Sequence, residues 1–176
     1  MVKMLNNRIE EITYNILSEL KMSTASDIRV LQIAEHLGVD VRTANLERNI
    51  SGFFVMKDNK PYIRYNKHES KQRKRFTIAH ELGHFVLHKD ISLIVDKKGE
   101  VFFRDSNSTT GEAIREREAN AFAASLLMPK KFIEDEMRNI PKDKDLIDRL
   151  SKKFDVSTQA MTYRLINLGY EFVGIF

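Results

Sequence analysis

His80-Glu81-Leu82-Gly83-His84 places two imidazoles four residues apart, with a carboxylate beside the first. On a helix, positions four apart lie within about 40° of each other around the axis, so both rings leave one face and can hold one zinc ion. Glu81 sits one step round, where its carboxylate can reach a water on that ion and act as general base. Phe76, Ile78, Ala79, Leu82, Phe85 and Val86 recur at the spacing of a buried helical face, which puts the pair on a core helix and not on a solvated tail. Gly83 costs about 1 kcal/mol relative to Ala inside a helix, a cost that is tolerated where the backbone must approach a neighbour closely.

A catalytic zinc takes three protein ligands and keeps a fourth position for water, so two histidines need a third donor. The run Glu116-Arg117-Glu118-Ala119-Asn120-Ala121-Phe122-Ala123-Ala124 offers it on a second helix. Glu116 and Asn120 are four apart, so Glu116 can bind the ion while Asn120 orients a liganding imidazole. Glu118 is the competing donor, but it lies about 200° round from Glu116 and points largely elsewhere. His88, about 80° round from His80, reaches the site only from its edge and reads as a residue that orients a ligand or packs in the core.

The stretch from Arg75 to His84, the following Leu87-His88, the Glu116 run ending Leu126-Leu127-Met128-Pro129, and Phe154-Asp155-Val156-Ser157 before Arg164-Leu165 resemble the ImmA/IrrE metallo-endopeptidases. The blocks run from about residue 50 to the C-terminus. The resemblance implies a zinc-dependent, gluzincin-like protease, intracellular, that inactivates a helix-turn-helix repressor of mobile-element or stress genes. On this reading His80, His84 and Glu116 hold one zinc ion, Glu81 is catalytic, and Asn120 and His88 support the ligands.

Composition agrees. With 176 residues, 42% of them hydrophobic, the chain can fill one real core. It has no cysteine, which removes disulfides and thiolate ligands together and suits a reducing cytoplasm. No apolar run of membrane-spanning length or cleavable leader occurs, so a soluble cytoplasmic protein with no membrane partner is expected. A net charge of +4 permits an acidic protein partner or nucleic acid and selects neither. Lys71-Gln72-Arg73-Lys74-Arg75, the densest basic cluster, reads as a solvated helix start.

Along the chain, residues 9–20 carry a helical stripe, 23–27 break it, and 28–37 form a second helix that Gly38 can cap in the left-handed conformation. Residues 39–46 read as a strand. Residues 53–56 and 62–65 flank Lys57-Asp58-Asn59-Lys60 as a β-hairpin in which Pro61 favours an edge, and 53–56 is the expected edge strand for an extended substrate. Residues 91–95 and 101–103 are candidates to pair with each other, ahead of a polar stretch at 105–111. Helices at 130–138, 144–153 and 157–168 follow, with Ser157 as N-cap. The expected fold is therefore α+β: a zincin-like metalloprotease domain with a small antiparallel sheet, an HExxH metal helix, a second ligand helix and a helical C-terminal region. One domain spans 1–176, with its catalytic core at 28–129 and a helix-turn-helix-like part at 130–176.

That last helix pair supports a competing reading, a DNA-binding regulator with a structural metal, in which Thr158, Gln159, Thr162, Arg164 and Asn167 would face base edges. Direct DNA binding is the less favoured of the two. For the oxyanion of a hydrolase the candidates are Tyr65, His88 and Arg104. His36 and His68 read as surface residues.

Overall fold

The computed structural model describes residues 2–88, 93–97, 111–141 and 143–170; the side chains of residues 2–6 and 93–97 are not described. The chain divides into two compact units, Arg29–Ala123 and Met1–Ile28 with Ala124–Phe176.

The first unit carries the sheet. Helix α2 (Val30–His36) ends at Gly38, whose φ of +73° is the left-handed cap expected of it. Strands β1 (Asp40–Ala44), β2 (Ile50–Lys57), β3 (Lys60–Asn66) and β4 (Leu93–Lys97) form one sheet in the order β1-β3-β2-β4. The β2–β3 hairpin turns on Asp58 and Asn59, both at positive φ, the geometry that matches strand twist in a two-residue turn. Three expectations change here. β1 pairs with β3 in parallel, so the sheet is mixed and not antiparallel throughout. β2 lies between β3 and β4, so it is interior and not the edge. Pro61 sits on interior β3, opposite Met56, yet one residue before the β1 register opens at Tyr62, where its missing N–H interrupts no β1 pairing. β4 pairs with β2, so residues 93–95 of the expected 91–95 segment find their partner there; residues 91, 92 and 101–103 lie outside the described residues.

Helix α3 (Lys71–Leu87) packs against β2, β3 and β4. Ser70 caps it by accepting the Arg73 N–H at 3.2 Å, and Phe85 meets Phe54 of β2 with ring centroids 5.9 Å apart. The basic start of α3 is not simply solvated: Arg73 donates to Ser51 Oγ at 2.9 Å and lies over the Phe76 ring, tying the helix to β2. Gly52 is where strand and helix come closest. A Cβ there would stand 2.5 Å from Thr77 Cγ2 and 2.9 Å from the Arg64 carbonyl oxygen, which cannot withdraw without disturbing the β2–β3 ladder. Gly52→Ala should therefore destabilise the protein by about 1–3 kcal/mol, read as a lower denaturation midpoint in urea. An unchanged midpoint would contradict this packing.

The second unit is helical: α1 (Val2–Glu19), a 3₁₀ turn (Ala25–Asp27), α5 (Lys130–Asn139), α6 (Leu146–Phe154) and α7 (Thr158–Asn167), with the end of α4 (Gly111–Leu127). Ile9 and Leu17 of α1, Leu126 and Leu127 of α4, Ile133, Leu150, Phe154 and Leu165 are among its fully buried residues. α6 closes on Asp155 at φ 52°, and Ser157 then caps α7 by accepting the Ala160 N–H. Arg164 belongs to this core. It is 6% exposed, donates to the Met128 carbonyl at 2.9 Å and pairs with Glu10 at 2.5 Å, so it is not available to a base edge as the DNA-binding reading requires. Among the described residues no helix is long and apolar enough to cross a membrane.

Candidate metal centre

Helices α3 and α4 cross within the first unit at Gly83, where a Cβ would stand 3.1 Å from the Cα and carbonyl of Ala119 and from Phe122 Cβ. Only small residues permit that approach, and it explains why a glycine holds a helix-interior position. The short separation lets polar side chains of both helices interleave.

His80 Nε2 and His84 Nε2 face each other at 3.0 Å, and the two carboxylate oxygens of Glu116 stand 3.3 Å from the first and 3.1 Å from the second. One donor atom from each lies within 4.8 Å of the others. Asn120 Oδ1 lies 3.0 Å from His80 Nδ1. His88 Nδ1 lies 3.1 Å from His84 Nδ1, and His88 Nε2 lies 2.8 Å from Glu118 Oε2. The structure thus brings together His80, His84, Glu116, Asn120 and His88, all singled out from sequence, and adds Glu118. Glu118, the competing third donor by sequence, lies instead against His88, which caps the end of α3 with non-helical dihedrals and so departs from the helical wheel. Two carboxylates two residues apart, beside a His at i+4 from His84, are the signal that was available.

Protonation follows from these partners. An amide oxygen and a carboxylate only accept, so His80 Nδ1 donates to Asn120 and His88 Nε2 donates to Glu118. With its proton on Nε2, His88 accepts at Nδ1 from His84 Nδ1–H. With the Nδ1 atoms so engaged, the inward Nε2 atoms beside the Glu116 carboxylate are the ones turned toward a cation. Burial holds His84 below the usual histidine range, against the pull of Glu116, which keeps the ring neutral. Burial pushes the Glu116 carboxyl up, but its contacts with His80 and His84 outweigh that and hold it well below the usual carboxylate range. Two imidazole nitrogens and one carboxylate, converging within 4.8 Å and buried or nearly so, are the donor set of a divalent metal.

Glu81 is fully buried on the same helix. Both His88 ring nitrogens are engaged, which removes it from the oxyanion candidates. Tyr65 is half-buried on β3 opposite Gly52, and Arg104 lies outside the described residues. His68 is exposed and bonded to Asn45, and His36 is exposed at the end of α2.

Residues 34–166 match the family model Peptidase_M78, the IrrE N-terminal-like domain. The chain belongs to this family. Membership assigns the IrrE-like domain to a family of metallopeptidases. It is similar to the radiation response metalloproteases IrrE of Deinococcus deserti, at 31% identity over 103 residues, and of Deinococcus radiodurans, at 30% over 107. Each alignment takes in 58% of this chain but only 35% and 30% of the relative, so the chain spans about a third of the length of the curated relatives it matches. Among solved structures, a Mycobacterium tuberculosis transcriptional regulator matches with a TM-score of 0.62, over 91% of this chain and 47% of that one. At 21% identity that likeness is one of fold.

Proposed function

We propose that the protein is a zinc-dependent endopeptidase that cuts a helix-turn-helix transcriptional repressor and so relieves repression of mobile-element or stress-response genes. The observation that carries the hydrolase reading is the convergence of His80, His84 and Glu116 donor atoms on a helix that also holds the buried Glu81. Zinc held by His80, His84 and Glu116 supplies the Lewis acidity that polarises a carbonyl and acidifies water. Glu81 takes the proton from the attacking water and delivers it to the leaving amide nitrogen, so its carboxyl returns to its starting state as the C–N bond breaks. Asn120 and His88 keep the imidazole lone pairs aimed inward throughout. The substrate would lie extended along β4, an edge of the described sheet that packs against α3, where main-chain pairing holds it and side chains select it. β2, the strand expected from sequence to be that edge, is interior.

The repressor is the substrate class implied by the family resemblance, and a cytoplasmic location goes with it. One cut is enough for such a switch, because a dimeric repressor that loses its dimer contacts loses simultaneous engagement of two half-sites. Incubating the purified chain with candidate helix-turn-helix repressors, with and without zinc, should yield two fragments whose masses sum to the repressor plus one water. Casein should be cut poorly. Intact repressors throughout, together with specific operator binding by this chain alone, would favour the DNA-binding regulator instead.

A further inference from the structure

We propose that Glu118 and His88 act as a positioning pair that fixes the tautomer of His84 and thereby sets how tightly the centre holds its metal. The inference rests on the metal-centre reading above and deepens it. His80 and His84 are held in different ways. Asn120 touches His80 directly and, with its oxygen toward the ring, leaves it one tautomer. His84 instead faces another imidazole at 3.1 Å, and two Nδ1 atoms can share only one proton. If His88 carries its proton on Nδ1, His84 must carry its own on Nε2, where it would occupy the lone pair turned toward Glu116. Glu116 at 3.1 Å draws the His84 proton toward Nε2, so a group at the far side of His88 is needed to bias it back to Nδ1. Glu118 is that group: its Oε2 lies 2.8 Å from His88 Nε2, draws the proton there and leaves Nδ1 as acceptor. The pair is well sheltered for the task, with the His88 side chain 6% exposed and that of Glu118 21%. The His88 backbone N–H also donates to the His84 carbonyl at 2.9 Å, so the two rings are tied by main chain as well as by side chain.

Zinc affinity of the whole chain, measured by competition with a chromophoric chelator, tests this directly. Glu118→Ala should weaken zinc binding about 10–100-fold, and Glu118→Gln less, since an amide can still present an oxygen to His88. In a His88→Ala background, Glu118→Ala should change affinity by less than about 2-fold, because the two residues act in series. The cobalt-loaded Glu118→Ala chain should show a shifted visible band while the metal-free protein melts as the wild type does, a combination a merely structural carboxylate does not produce. If the Ala variant fails to fold, Glu118→Gln carries the same comparison. Wild-type affinity and an unchanged cobalt spectrum in the Glu118 variants would overturn the pair, as would an equal loss with and without His88. A wild-type chain that binds zinc but hydrolyses nothing would sink the peptidase reading and leave the pair standing, whereas a wild-type chain that binds no divalent ion would sink both.

Discussion

Glu81→Gln should lower peptide hydrolysis by at least about 10²-fold and leave zinc bound at wild-type affinity. The change keeps the shape of a fully buried side chain and removes only its capacity to take a proton. None of the three converging donors is altered, so the ligands stay in place. Fragment appearance by intact mass and zinc content by elemental analysis, measured on one preparation, separate the two effects. A Glu81→Gln chain that purifies without metal would make Glu81 part of the binding set; one that retains full activity would remove it from catalysis.

Glu116→Gln should lose metal and activity together, and by more than either Glu118 substitution. Its two oxygens bridge His80 and His84, whereas Glu118 touches neither imidazole and acts only through His88. Loss of an outer partner costs about 10–100-fold in affinity, so loss of the only carboxylate in the set should exceed that range. The same chelator competition ranks them. A larger loss at Glu118 than at Glu116 would shift the ligand by two residues and undo both assignments.

The metal-free chain should itself register these changes differently. In the metal-free chain the contacts of Glu116 with His80 and His84 outweigh its burial and hold its carboxyl well below the usual carboxylate range, so folding favours its ionised form. The apo form of Glu116→Gln should therefore be less stable than the apo wild type at neutral pH, the difference closing as pH falls through the carboxylate range, so zinc affinity is compared well below its denaturation midpoint.

Spacing along the chain was enough to name the paired imidazoles, the carboxylate beside them, and Glu116 with Asn120 on a second helix, because each judgement needs only the angle a residue makes around its own helix axis. It was enough too for the Asp58-Asn59 turn, the Gly38 cap and the Ser157 cap, where one residue's backbone freedom or one hydroxyl decides the local geometry. Which faces meet is a different question. β1 passes over the next strand in the chain to pair directly with β3, Arg164 turns inward to Met128 and Glu10, and Glu118 finds His88 thirty residues away, none of which leaves a period in the sequence. The Glu118–His88 pairing was decided by the closeness of approach at Gly83 and Ala119 and the β1–β3 pairing by the order in which strands add to the sheet, since only the folded chain sets the distance between two faces.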